Sequence, residues 1–216
     1  MPFKLVVSPA LAAQLATLVA LVLLAPSAVR AFGRRGTGVI HERNFGVQRA
    51  PQVVSLGILA LILVGHLDSE LGDVVVPWLN VLPLLPPVVA ATVGWLGVAL
   101  LVSGYGFLRT GYSALGGNLS TDAELLEGQT LTHSGPYRWV MHPVYSGIVQ
   151  ALVGGALTCG SLPALALTTF AAAPLWLHRA RYEERLLVDA FGSAYRDYAE
   201  SVRWRRLVPS WLPFGV

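Results

Sequence analysis

The amino-acid sequence predicts an all-α, polytopic integral membrane protein with about five transmembrane helices, and three observations carry the prediction. Hydrophobic residues make up 54% of the 216 and charged residues only 12%, with a mean hydropathy of +0.60. That is more apolar surface than one soluble core of this size can hide. Apolar runs of spanning length recur along the chain, and the loops between them alternate in charge as successive crossings require.

The first run, residues 5–28, holds roughly 24 mostly apolar residues, more than a secretory-signal core and enough to cross a bilayer. It reads as a retained anchor, although Lys4 precedes it and the small residues Ser27 and Ala28 close it. Arg30, Arg34, Arg35, Arg43 and Arg49 then crowd a polar loop in which Glu42 is the only carboxylate, which places that loop on the cytoplasmic side. A second run, 52–67, leads into Asp68, Glu70 and Asp73 with no Lys or Arg before the next span, so this loop lies outside. Residues 74–89 are apolar but interrupted by Pro77, Pro83, Pro86 and Pro87, and the first part reads as an interfacial or re-entrant piece. Pro87 suits the start of a third span, 88–108, that ends at Arg109.

Residues 109–141 read as a cytoplasmic, loop-like segment broken by Gly111, Gly116, Gly117 and Gly128. Two apolar runs, 144–159 and 162–177, flank a Cys159 to Pro163 turn and form a helical hairpin; each is about 16 residues, or roughly 24 Å of helix. Gly147, Ala151, Gly155 and Cys159 recur at every fourth position, as do Ala164, Thr168 and Ala172, a spacing that lets the two arms approach closely in lipid. From His178 onward the tail carries Arg179, Arg181, Arg185, Arg196, Arg203, Arg205 and Arg206, consistent with a cytoplasmic C-terminus and an N-terminus outside. The chain divides accordingly into an N-terminal transmembrane region, 1–108, and a C-terminal region, 109–216.

The net charge of +3 is almost wholly arginine, since Lys4 is the only lysine, and an anionic membrane surface accounts for it without nucleic acid. The single cysteine, Cys159, excludes an internal disulfide and the usual multi-cysteine zinc sites, and no metal is expected. Arginine in place of lysine, with abundant Ala, Leu and Val, points to a prokaryotic plasma membrane.

Chemistry concentrates at the two open ends of the hairpin. In "GPYRWVMHPVYSG" Pro143 suits the first helical position and makes His142 the N-cap, with Tyr145 turned to the same side. In "HRARYEERLL" Arg179 and Glu183 are four apart and pair along one face, leaving Glu184 to turn inward. Taken singly, the His is an interfacial cap and the Arg–Glu set a solvated face. Together they place paired opposite charges, tyrosines and a His at the bilayer boundary, a setting for a zwitterionic ligand with an aromatic base.

These motifs, followed by "FGSAYRDYAESV" and a closing "LVPSWLPF", resemble the isoprenylcysteine carboxyl methyltransferase family and its phospholipid methyltransferase relatives over roughly the second half of the chain. The resemblance implies a membrane enzyme that transfers a methyl group from S-adenosylmethionine to a lipophilic or lipid-attached small substrate, with a cytoplasmic cofactor pocket beside the hairpin. It implies that Tyr137, Arg138, His142, Pro143, Tyr145 and Gly147 sit by the cofactor. Glu183 and Glu184 would receive the cofactor's ammonium or position the substrate, Arg179 would suit its carboxylate, and Glu184 and Arg179 are the expected catalytic pair. Two departures stand out: Met141 occupies a position where the family often has Arg, and Arg203, Trp204, Arg205 and Arg206 are inserted ahead of Val208-Pro209. The alternatives are a sterol-type membrane reductase using NADPH, against which the Glu183-Glu184 pair argues, and a non-catalytic membrane scaffold.

Overall fold

The computed structural model describes residues 8–33, 38, 45–70 and 80–202. Expectations resting on Arg34, Arg35, Arg43, Asp73, Pro77, Arg203, Arg205, Arg206 and the closing Pro-Ser-Trp stretch lie outside the described residues. Among those described the architecture is all-α, with no strand.

Three helices are long and apolar enough to cross a membrane: α1 (Pro9–Gly33), α3 (Ala50–Glu70) and α4 (Pro87–Leu115), with the short α2 (Phe45–Gln48) preceding α3. Only 17% to 28% of their apolar windows is buried within the protein, so lipid must solvate most of this surface. The chain is therefore an integral membrane protein. The hairpin follows as α5 (Pro143–Thr158) and a return arm built from α6 (Leu162–Leu167), a π-helical turn (Thr168–Ala172) and α7 (Ala173–Phe191); α8 (Ser193–Ser201) closes the described chain. Against the five expected spans, three helices among the described residues are long and apolar enough to cross, and α5 is a shorter apolar helix.

Several expected boundaries move outward. Helix α3 runs on to Glu70 and takes in Asp68, which is buried rather than in a loop. Arg30 belongs to the last turn of α1, where it donates to Ser27 Oγ at 3.1 Å. Helix α4 starts at Pro87 as its fixed φ suggests, but passes Arg109 and ends only at Leu115, capped by Gly116 at φ +51°. The reason is that Gly111 faces Val144 of α5, so the polar end of α4 is held in the helix by packing.

The tightest helix pair is α4 with α5, and this corrects the expectation that Gly147 serves the return arm. Gly97, Gly104 and Gly111 on α4 and Gly147 and Gly154 on α5 are spaced by seven, and they meet in antiparallel order. A Cβ on Gly104 would stand 2.7 Å from the Gly147 carbonyl oxygen, and one on Gly154 would stand 2.5 Å from the Leu101 backbone nitrogen. Without Cβ atoms the two backbones touch, and in lipid such packing is the main source of association. Gly154→Val is expected to cost about 1–3 kcal/mol through overpacking, measured as thermal melting in detergent. Gly57→Val, at a position with nothing within 4 Å, provides the reference and should leave melting nearly unchanged.

The rest of the small-residue stripe packs elsewhere. A Cβ on Gly155 would stand 3.1 Å from Ile62 of α3, and one on Gly65 would stand 3.4 Å from Cys159 Sγ. Ala164 and Ala172 on the return arm are fully buried in the cluster that holds Ile58, Ile62, Ala156 and Cys159, and Thr168 between them is fully buried as well. The hairpin turn forms as expected: Gly160 takes φ +65°, and Ser161 caps the return arm by accepting from Ala164 N at 3.2 Å. The π turn ends two residues before Pro174, whose ring would otherwise press on the carbonyl four residues earlier.

Candidate functional site

Where the arms of the hairpin open, α5 and α7 present one polar cluster. His142 is the N-cap of α5 and Pro143 its first residue, so Tyr145 falls in the first turn and stacks on His142 with ring centroids 5.4 Å apart and planes 2° apart. From α7, residues 176, 179 and 183 share a face, and Trp176 lies 4.6 Å from the Tyr145 ring.

Arg179, 2% exposed, is the hub. Its Nε donates to Tyr145 Oη at 2.9 Å and to Glu183 Oε1 at 3.2 Å, while its terminal nitrogens donate to the carbonyls of Gln48 at 3.3 Å and Thr121 at 2.8 Å. The Tyr145 hydroxyl donates in turn to Glu183. The guanidinium carbon also sits 5.7 Å from the ring centroids of both Tyr145 and Trp176. Burial opposes the charge on Arg179, but Tyr145 and Glu183 outweigh it and raise its pKa, so it stays protonated. The expected split of the two carboxylates is present: Glu183 pairs with Arg179, and Glu184 turns to His142 Nε2 at 3.3 Å. His142 Nδ1 is 3.8 Å from Glu183, so the imidazole stands between both acids.

Two segments fasten this cluster to the rest of the fold. The Gln48 side chain bridges the Ala123 backbone, donating at 3.1 Å and accepting at 2.9 Å, and Arg49 pairs with Asp122 at 2.6 Å. Trp176 Nε1 donates to Ser55 Oγ at 3.0 Å. Tyr137 is buried in the 3₁₀ turn Gly135–Arg138. Burial first, then Tyr145 and Glu183, push its phenol well above the ordinary range, which makes it a neutral group and no base.

A cavity of about 920 Å³ opens from the cluster and runs between α1, α3, α4 and α5. Tyr137, His142, Tyr145, Trp176, Arg179 and Glu183 wall one end. The other end is apolar, lined by side chains such as Leu18 and Leu21 of α1 and Leu56 and Leu63 of α3, which are themselves exposed. The cavity therefore communicates with the lipid-facing surface between α1 and α3.

Not every expected residue reaches this wall. Arg138 is exposed and lines a separate surface groove with His133 and Asn118. Gly147 faces α4, Pro143 shapes the helix start, and Glu184 reaches the cavity through His142. Met141 is buried against Tyr195, Tyr198 and Val202, so a packing side chain fills the place of the expected Arg. Conversely, Trp176, Gln48, Gln52 and Thr121 belong to the site without having been expected there. Only Trp176 was within reach of sequence reasoning, being three residues before Arg179 on one helical face.

A model of the phospholipid methyltransferase family matches residues 92–194, which include α5, α7 and every ionised group of the cluster. The chain is also 30% identical over 191 residues to the cobalt-zinc-cadmium resistance protein CzcN of Cupriavidus metallidurans, covering 88% of this chain and 73% of that one.

Proposed function

Since the chain belongs to the phospholipid methyltransferase family and is a membrane methyltransferase, we propose that it transfers the methyl group of S-adenosylmethionine to a lipophilic or lipid-attached small acceptor. The observation that carries this reading is one juxtaposition: a buried set of opposite charges and aromatic rings forms the end wall of an apolar cavity open toward lipid. A cofactor bearing an ammonium, a carboxylate and a purine fits the charged end, and an apolar acceptor fits the other. When bound, the cofactor supplies an electrophilic methyl group on a sulfonium leaving group.

What remains for the protein is to bind, orient and exclude water. Glu183 faces the cavity beside Arg179 and is placed to receive the ammonium; Arg179, with four partners already, has one N–H on each terminal nitrogen left for the carboxylate. Tyr145 and Trp176 line the same wall and would give the purine an aromatic border. His142 stands at the wall with Glu184 behind it, so an acceptor that must lose a proton would give it to His142, and Glu184 would hold the resulting imidazolium. A carboxylate acceptor would need no base, and Glu184 would then only orient the ring. The C-terminal half thus brings the reacting groups and the N-terminal half the acceptor's apolar wall, with α4 running unbroken through both. By the loop charges, the cluster lies at the cytoplasmic boundary.

Titration calorimetry of the detergent-purified protein tests the proposal. S-adenosylhomocysteine is expected to bind, and His142→Ala, which removes the ring stacked on Tyr145, to weaken it by up to about tenfold. Binding of NADPH with no response to S-adenosylhomocysteine would refute the methyl-transfer reading in favour of a reductase.

A further inference from the structure

Two buried polar atoms at the junction of the charged and apolar ends are used by nothing in the site described above. Gln52, in the first turn of α3, donates its Nε2 to the Thr121 carbonyl at 3.3 Å. Its Oε1, and the Oγ1 of Thr121, are both buried and have no hydrogen-bond partner among the described residues. The amide orientation is fixed by that one bond, because the opposite flip would set two acceptors against each other. Buried polar atoms without partners are costly and uncommon, and both side chains line the cavity.

Their surroundings indicate which ligand would use them. The Thr121 carbonyl is shared between Gln52 and Arg179, so this corner touches the charged cluster directly. On the other side Gln52 heads a stripe of α3 residues that face the cavity, Leu56, Leu59 and Leu63, opposite Leu18 and Leu21 of α1. A polar atom at the head of an apolar stripe suits an amphipathic molecule, with its polar group beside the reacting centre and its tail along the stripe. Gln52 Oε1 can only accept, so that polar group must donate.

We infer that Gln52 and Thr121 select the methyl acceptor, holding a hydrogen-bond donor on a lipophilic molecule next to the atom that is methylated. The inference rests on the methyltransferase reading and names the acceptor's chemistry: a long apolar tail with a hydroxyl, amine or amide N–H at its head. It assigns a role to a segment, Gln48 to Gln52, that precedes the residues matched to the family.

The test uses a matched pair of probes, N-dodecylacetamide and N-dodecyl-N-methylacetamide, which share a tail and differ in one N–H. Their affinities are measured on the full chain in phosphatidylcholine nanodiscs saturated with S-adenosylhomocysteine. The wild type should prefer the N–H probe by about tenfold or more, because a site built around a donor rejects the analogue lacking it. Gln52→Leu and, independently, Thr121→Val should each bring the ratio toward one. An equal affinity for both probes in the wild type overturns the inference, and so does a preference that survives in both Gln52→Leu and Thr121→Val. Failure of S-adenosylhomocysteine to bind the wild type strikes the function proposed above instead, and is scored separately in the same samples.

Discussion

Arg179→Ala is expected to destabilise the protein by about 3–5 kcal/mol, the usual cost of removing one member of a buried ion pair. At this chain length that corresponds to a fall in melting temperature on the order of 10 °C. The size of the effect follows from the partners. Arg179 contacts α5 through Tyr145, the α2 end through Gln48 and the 119–134 connection through Thr121, besides Glu183 on its own helix. Truncation leaves Glu183 and the Tyr145 hydroxyl without their cation and unties three pieces of the wall at once. Arg179→Lys separates charge from shape: one ammonium keeps the positive charge but cannot reach four acceptors spread around a planar fork. Lysine should therefore recover part of the melting temperature and little of the S-adenosylhomocysteine binding. Equal recovery of both would show that Arg179 contributes charge alone.

The second large effect belongs to Glu183→Gln. This change keeps the volume and an acceptor oxygen, and removes only the negative charge that faces Arg179, the Tyr145 hydroxyl and His142 Nδ1. A charge-assisted hydrogen bond to a ligand ammonium is worth about 1.5–3 kcal/mol, so binding of S-adenosylhomocysteine should weaken by about 10- to 100-fold. Because Arg179 and Glu183 act through each other, the double variant Arg179→Ala/Glu183→Gln should lose less stability than the two single losses added together. Simple additivity, measured by melting of all four proteins, would show that the pair is only a neighbourly contact.

What could be read from the sequence and what could not divide along a physical line. Local rules located the hairpin and its chemistry: Pro143 sets a helix start, His142 caps it, the Cys159 to Pro163 turn joins the arms, and the four-residue spacing pairs Arg179 with Glu183. Each of these depends on residues within one turn of each other. The glycine contacts between α4 and α5 depend instead on two stretches some forty residues apart, and a spacing of seven on each is visible as a pattern without naming its partner. The same holds for Gln48 and Thr121, whose part in the site is played largely by backbone carbonyls that carry no mark in the sequence. Arg138 went the other way: it sits four residues from His142, but the 3₁₀ turn that buries Tyr137 points the next side chain outward. Met141 shows how a position can keep its burial and change its chemistry, since the pocket formed by Tyr195, Tyr198 and Val202 accepts a thioether without a partner for charge.

The π turn at Thr168–Ala172 has an angular consequence for the whole site. A π turn holds one residue more than the α-helical turn it replaces, and one residue is worth about 100° of azimuth in a helix of 3.6 residues per turn. Trp176, Arg179 and Glu183 all lie beyond it, so the compass bearing of the ionised face relative to Ala164 is set by a single extra residue within the return arm. An even α-helix of the same composition would bury the small residues as it does now and aim the guanidinium about a quarter-turn away from Tyr145.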